Sequence, residues 1–512
     1  MKVLLMYPDR DFDAAAQLPP QADDLRQDLG LDVVFAAMAA GDRYLYDVAV
    51  RGLFAELREP EEIRYRQGVL ADCLRQPAVV RHLYAVAVDA IERERKGWGY
   101  STRYPESMLH RSLDVLAMFV EKLTQVRQIA EESAAVLPSA GFARLFREVS
   151  AELTDDYLAT VRTHIQRFDY NRPFVLSAQL GLGNRGAHYV LRRRLTKPSW
   201  RERLGLAETD THTYQIPDRD EAGAEALGTI KGRGIVLAAE ALAQSADHIL
   251  SYFLQLRAEL GFFLGCLNLR DALARKSEPV AFPDPRPVRE AVLSAHGLYD
   301  VALSLSMPGR AVGNDLTGDG RQLVMVTGAN RGGKSTFLRS VGLAQLMMQA
   351  GMFVAAEAFA ADVRSGTFTH FKREEDGTLR SGKLDEELKR MSAVVDRLSA
   401  GSLVLFNESF ASTNEREGSE IARQVVIALL AAGIKVVYVT HMFDLAHGFF
   451  ATPPAPALFL RAERLADGRR TFRVVEGEPL PTSHGADIYR SIFGLRATSA
   501  KSTASVSTEA VD

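Results

Sequence analysis

The first half of the chain is patterned for helices. Residues 30–135 contain few glycines, and their apolar positions recur at three- and four-residue spacing. Residues 139–168 carry the cleanest such stripe: Phe142, Leu145, Phe146, Val149, Leu153, Tyr157, Leu158, Val161 and Ile165 fall on one face of a single expected helix. The pattern breaks at Asn171, where NRPFVLSAQLGLGNRGAHYVL mixes a proline, glycines and β-favouring residues and predicts a strand pair or small β-containing insert. Gly181, Gly183 and Gly186 spell G-x-G-x-x-G there. That motif binds dinucleotides only between a strand and a helix of a βαβ unit, so here it is read as a turn. Helical spacing resumes over 234–274. Unbroken, these residues would reach roughly 60 Å, as an arm or lever; the alternative is two ordinary packed helices bending at Gly261 and Gly265.

SEPVAFPDPRP, residues 277–287, holds four prolines and cannot be a helix interior, so it marks the main expected domain boundary. Beyond it the short apolar runs LVMVTG, SLVLFNE and KVVYVTH alternate with helical stretches, the signature of a parallel sheet flanked by helices. Residues 497–512 are small and polar and are expected to be disordered.

Composition narrows the class. The chain has 512 residues, 47% apolar and 25% charged, with a net charge of −3. This excludes a disordered chain and a globally basic nucleic-acid coat, while leaving room for a local basic patch. No run of 18 apolar residues occurs and MKVLLMYPDRDF is too short a stretch for a signal peptide, so the expectation is a cytoplasmic protein with no membrane partner. Two cysteines, Cys73 and Cys266, rule out a disulfide framework or a four-cysteine zinc site.

Three segments carry chemistry. Gly328, Ala329, Asn330, Arg331, Gly332, Gly333, Lys334, Ser335 and Thr336 satisfy G-x-x-x-x-G-K-[ST] between the strand 323–327 and a helix. Glycines let backbone N–H groups curl round phosphate oxygens, and the helix directs its positive end at them. Lys334 is the expected counter-charge for the β- and γ-phosphates of ATP, and Ser335 the hydroxyl ligand of Mg²⁺. The strand 403–406 ends in Asn407-Glu408. Asn407 stands at the metal-shell position that usually carries an aspartate, where an amide adds no charge, so slow turnover is expected; Glu408 is the expected base that activates water. A third strand ends in Thr440-His441, with His441 placed to approach the γ-phosphate. Separately, Arg192, Arg193, Arg194, Lys197, Arg201 and Arg203, with Trp200 as a stacking face, stand against the single carboxylate of Glu202. This run is either a DNA contact or a solvated charged face.

Taken together, residues 308–496 resemble the ATPase domain of the MutS family, a branch of the ABC-type ATPases. GANRGGKST is similar to the family's GPNMGGKST, LVLFNES stands where the family has LVLMDEI, and THMFDL resembles THYFEL. FASTNEREGSEIA resembles the signature loop and its helix, and Gly477, Pro479, Ser483, His484, Gly485 and Ile488 fit the closing motif. Upstream, 59–77 is reminiscent of the opening of the lever domain. The resemblance implies an α/β P-loop ATPase domain at the C-terminus, preceded by a largely α-helical lever and core region with a small β-containing insert. The boundaries expected are 1–135 for the N-terminal helical core region, 136–276 for the long-helix lever region with its insert at about 171–233, 277–290 for the linker, and 291–496 for the ATPase domain. It further implies that Asn314 lies near the bound adenine and that two subunits each sandwich ATP, with Ser412, Thr413 and Asn414 reaching the partner's γ-phosphate. The function implied is a homodimeric ATPase gating DNA binding without a separate mismatch-reading domain. The alternative is a slow or inactive nucleotide-dependent dimerisation module serving a protein partner. SGKLDEELKR, 381–390, is either a mobile loop between phosphate site and arm or a solvated charged helix start.

Overall fold

A computed structural model describes residues 1–96, 105–167, 175–184, 186–192, 221–373, 382–465 and 469–481. The tail at 497–512 and most of the basic run lie outside the described residues. In chain order the elements are α1 (Ala22–Leu29), α2 (Leu31–Ala39), α3 (Arg43–Phe54), α4 (Pro60–Arg75), α5 (Pro77–Lys96), α6 (Pro105–Ser133), α7 (Ala140–Glu152), α8 (Asp155–Arg167), β1 (Val175–Leu180), β2 (Gly186–Arg192) and α9 (Glu221–Ala274). They continue with β3 (Asp284–Arg286), β4 (Leu293–Leu298), α10 (Val301–Ser306), β5 (Asn314–Thr317), β6 (Leu323–Thr327), α11 (Lys334–Gln349), β7 (Ala358–Asp362) and β8 (Thr367–Phe371). The last are α12 (Lys383–Val395), β9 (Leu403–Asn407), α13 (Glu415–Ala431), β10 (Lys435–Val439), α14 (Phe443–Ala451), β11 (Ala457–Arg464) and β12 (Arg470–Glu476).

Internal contacts divide the chain into two compact units, one of residues 1–5 and 76–260, the other of 6–75 and 261–512. Residues 6–75 thus fold with the sheet-bearing unit, although the sequence reading grouped them with 1–135, and the proline-rich 277–290 lies inside that unit. The reason is packing: β3 pairs in parallel with β7, and Ala281 bridges Val354. Arg66 of α4, fully buried, donates to the carbonyls of Met6 (2.9 Å) and Ala350 (3.0 Å) and lies over the Tyr7 ring. A guanidinium that is both buried and hydrogen-bonded ties three distant segments together.

Among the described residues the smaller unit is mostly helical and carries the β1–β2 hairpin, which is the expected strand pair. The Phe119 and Phe253 rings meet at 5.6 Å, and Leu109 and Leu113 pack on Ile235 and Ala239. The single helix expected over 139–168 is two. Leu153 leaves helical geometry (ψ 53°), and Thr154 accepts from the Tyr157 N–H at 3.2 Å, so a new cap overrides a continuous apolar stripe. Between the alternatives for 234–274, the structure has one continuous helix of 54 residues, α9. Residues Gly232–Ala274 include a window apolar enough to span a membrane by composition, but 67% of that window is buried in the protein, as in a core helix.

The larger unit is built on a six-stranded sheet of order β12-β11-β6-β10-β9-β8, parallel except for β12. Every residue of β6 and β10 is buried, which explains their unbroken apolar runs. The stacked Phe406 and Tyr438 rings (4.9 Å) fix neighbouring strands on one face. A second, four-stranded sheet, β3-β7-β4-β5, was not foreseen from the short, irregular apolar runs that build it.

Candidate functional site

The site forms at the carboxyl ends of β6, β10 and β9, three adjacent parallel strands, where such sheets place their ligand crevices. After β6 the chain turns through Gly328 (φ 107°), Arg331 (φ 59°) and Gly333 (φ 95°) before α11 begins at Lys334. Added Cβ atoms at Gly328 and Gly332 would sit 2.9 and 2.8 Å from Ala462 of β11, so side chains are excluded and the backbone can wrap closely on an anion. Lys334 is buried, and its Nζ donates to the carbonyls of Gly328 (3.0 Å) and Ala329 (3.3 Å). Burial pushes its ammonium pKa down, which the charge of Glu408 opposes. An ammonium seated on its own loop among glycines is chemically suited to a polyphosphate, which would replace those weak carbonyl partners.

β9 delivers Asn407 and Glu408. Ser335 Oγ donates to Asn407 Oδ1 at 2.8 Å, so the two expected metal-shell residues are already in contact. A hydroxyl and an amide oxygen fit the oxygen preference of Mg²⁺, but neither carries charge. Glu408 has φ 53°, and its N–H donates to the Val439 carbonyl (2.9 Å). Strained backbone at such a position needs surrounding structure to hold it. Its carboxylate lies 3.5 Å from His441 Nδ1, too long for a strong hydrogen bond. Contact with His441, reinforced by the charge of Lys334, nevertheless holds the Glu408 carboxyl below its ordinary range against the opposing effect of burial. Glu408 is therefore ionised at neutral pH and can accept a proton or orient water. Thr440 accepts from the Met442 N–H (3.0 Å), and a cavity of about 200 Å³ lined by Gly328, Thr440, His441, Glu415 and Pro479 opens beside the loop.

Ser412, Thr413 and Asn414 follow on the loop into α13, and all three are occupied within the chain. Ser412 Oγ donates to Glu387 of α12 (2.5 Å), and Thr413 Oγ1 to Glu417 (2.5 Å). Asn414 caps α13 by accepting from the Glu417 N–H (2.9 Å), and its Nδ2 donates to the Glu417 carboxylate (3.1 Å). Gly418 is obligatory, since a Cβ there would lie 2.3 Å from the Phe410 carbonyl oxygen.

Asn314, expected near the base, spends its side chain on backbone. Its Oδ1 accepts from the Val474 N–H (2.7 Å), and its Nδ2 donates to the carbonyls of Val312 (3.4 Å) and Phe472 (3.5 Å). Of the basic run only Arg192 is described, exposed at the end of β2 and bonded to Ser177 (2.8 Å); Arg193, Arg194, Lys197, Arg201 and Arg203 lie outside the described residues, as do Ser483, His484, Gly485 and Ile488. Segment 382–390 is largely the first half of α12, whose Glu387, Met391 and Val394 are buried while Lys383, Asp385 and Lys389 are not.

Sequence reasoning did not find His370, buried at the end of β8. Its Nε2 lies 3.0 Å from the Glu387 carbonyl, so that nitrogen carries the hydrogen, and Nδ1 lies 2.8 Å from Ser409 Oγ, whose hydroxyl also donates to the His370 carbonyl. It stacks on Phe410 and so supports the whole loop after Glu408. No local motif signals it, because its partners are 17 and 39 residues away.

Comparison with known proteins returns two family matches: the MutS2 N-terminal domain over residues 58–276 and MutS domain V over residues 324–493. The chain is 31% identical to the endonuclease MutS2 of Lactiplantibacillus plantarum over 36% of its own length and 24% of that protein. It is 33% identical to the DNA mismatch repair protein MutS of Thermotoga neapolitana over 34% of its length and 22% of that protein, and 27% identical to MutS protein homolog 4 of Mus musculus over 33% and 17%. The match thus spans about a quarter or less of each of these curated relatives.

Proposed function

The chain belongs to the MutS family, and from that premise we propose that it is an ATPase whose nucleotide state gates DNA binding in repair or recombination. MutS domain V is a P-loop ATPase domain, and we assign that domain to residues 291–496. The observation that carries the reading is the convergence of Lys334, Ser335, Asn407, Glu408 and His441 at the ends of three neighbouring strands. Lys334 and the backbone from Gly328 to Thr336 bind the triphosphate. Glu408, kept ionised by His441, orients the attacking water and takes its proton at a carboxylate oxygen. Ser335 and Asn407 would hold Mg²⁺, which when bound neutralises charge on the β- and γ-phosphates. Two copies face each other across nucleotide in this reading, with Ser412, Thr413 and Asn414 completing the partner's pocket and the basic run from Arg192 meeting DNA. The protein works in the cytoplasm without a membrane partner.

One observation favours a second reading, a slow nucleotide-dependent dimerisation module with a protein partner: the metal-shell pair is uncharged, and Ser412 and Asn414 are committed to Glu387 and α13. The deciding experiment measures ATP turnover and dimerisation with and without duplex, mismatched and branched DNA, using wild type, Lys334→Ala and Glu408→Ala. The ATPase reading expects no binding in the first variant and an ATP-trapped dimer in the second. Turnover unchanged in Glu408→Ala removes Glu408 as the base, and DNA-independent turnover at every salt concentration leaves only the module.

A further inference from the structure

Charge is unevenly placed around the phosphate turn. The metal-shell pair Ser335 and Asn407 is neutral, while the loop itself carries two cations, Lys334 and Arg331. Arg331 stands where the GPNMGGKST of the resembled family has an uncharged methionine. The two cations are held differently. Lys334 is buried and lies on the Gly328 and Ala329 carbonyls. Arg331 is exposed, and among the described residues its guanidinium has no hydrogen-bond or ion-pair partner. The backbone beneath that guanidinium is nevertheless fixed. Arg331 has φ 59°, a left-handed conformation that a long side chain adopts only where its surroundings impose it. The next residue, Gly332, donates its N–H to the Ala329 carbonyl (3.1 Å), and a Cβ there would lie 2.8 Å from Ala462 Cβ. Gly333 (φ 95°) then leads straight into α11. Arg331 therefore projects into solvent from the apex of an anchored turn. A planar fork of N–H donors at the rim of an anion-binding loop matches the terminal oxygens of a phosphate chain.

We propose that the Arg331 side chain is a catalytic group for ATP hydrolysis, a guanidinium that grips the γ-phosphate of the nucleotide bound by its own chain. This rests on the reading of the loop as an ATP site. In that reaction the water oxygen bonds to the γ-phosphorus as the bond to the β–γ bridging oxygen breaks. Glu408 takes the water proton, and negative charge grows on the bridging oxygen that leaves with ADP. A metal shell without a carboxylate holds its cation weakly, so less positive charge is fixed there when that charge grows. Arg331 supplies a permanent positive charge from the loop, already positioned by the backbone. ADP has no γ-phosphate, so the side chain distinguishes ATP from ADP and contributes most in the transition state.

The test combines calorimetric titration of the full chain with ATP and ADP, each with magnesium and with excess chelator, and single-turnover hydrolysis at saturating ATP. Arg331→Met, which installs the residue of the resembled loop, should weaken ATP in chelator by roughly tenfold or more and leave ADP within about twofold. Its hydrolysis rate should fall by about a hundredfold or more, the usual worth of a preorganised donor or guanidinium aimed at a transferred phosphoryl group. Arg331→Lys keeps the charge but loses the fork, and should fall between the two. Equal losses of ATP and ADP in Arg331→Met would make Arg331 a mere support of the loop. An unchanged hydrolysis rate, or a loss traced by sedimentation to failed dimerisation, would equally overturn its catalytic role. Wild type binding neither nucleotide under any condition would instead defeat the ATP site itself.

Discussion

His370 offers a prediction whose size follows from its surroundings. Burial, followed by the positive charge of Arg390, lowers its pKa from the ordinary 6.5 to about 4. The folded protein thus keeps the ring neutral, with Nε2 donating to the Glu387 carbonyl and Nδ1 against Ser409 Oγ. The unfolded chain binds the extra proton between pH 6.5 and about 4, so stability falls as pH drops through that window. At about 1.4 kcal/mol per pH unit, the loss is roughly 2 kcal/mol by pH 5 and about 3 kcal/mol by pH 4. Glutamine at this position keeps a donor and an acceptor but cannot titrate. His370→Gln should cost about 1–2 kcal/mol at pH 7, through imperfect hydrogen bonds and lost stacking on Phe410. Its stability should then depend less on acid than that of wild type. Urea unfolding followed by far-ultraviolet circular dichroism at pH 7, 6 and 5 reads both curves. The gap between them should close by roughly 2 kcal/mol between pH 7 and 5. Parallel curves would mean that His370 titrates normally and that the network around Ser409 is not held by a neutral ring.

The remaining predictions concern the phosphate side and its supports. Asn407→Asp restores a charge beside Ser335 and should tighten the Mg²⁺ requirement of ATP turnover about tenfold, read from the half-saturating metal concentration; no change would place the metal elsewhere. Glu408 titrates below its ordinary 4.5, so wild-type turnover should not lose this carboxylate until the pH falls below that value. His441→Asn removes the main cause and should move the acid limb of the pH–rate profile upward, and an unmoved limb would cut the link between the two side chains. Gly418→Ala drives a methyl into the Phe410 carbonyl and should destabilise the larger unit by about 1–3 kcal/mol in thermal unfolding while lowering turnover, since Phe410 belongs to the loop that follows Glu408. A neutral result there would mean that the loop yields freely.

Much of the site was legible because its chemistry is local. G-x-x-x-x-G-K-S sets the phosphate turn within eight residues, and the strand ends at Asn407, Glu408 and His441 follow from short apolar runs that stop abruptly at polar residues. The hairpin at 175–192 and the helical character of 234–274 were legible for the same reason, since period and breakers act over a few residues, whereas 221–233, read as part of the β-containing insert, is the start of α9. Asn314 shows the limit. Its amide is consumed by Val312, Phe472 and Val474, and the last two are some 160 residues away. The break at Leu153 shows another limit, because a Thr154 cap of modest strength interrupts a stripe that hydrophobic period alone would continue.

What the sequence determined by itself is therefore the set of local instruments: the anion turn, the polar strand ends, the helix starts and the apolar faces. Each arises from backbone conformation or side-chain period within a dozen residues, where loop closure costs little entropy. The tertiary structure decided which instruments meet. Sheet order sets β9 against β10, which places Glu408 beside His441, and sets β11 between β6 and β12, which brings Phe472 onto the phosphate turn. It also seats residues 6–75 with the sheet, puts Ser412 on Glu387, and buries His370 under the loop after Glu408. Those pairings are made by burial and hydrogen-bond satisfaction among groups far apart in the chain, and no short stretch of sequence contains both partners.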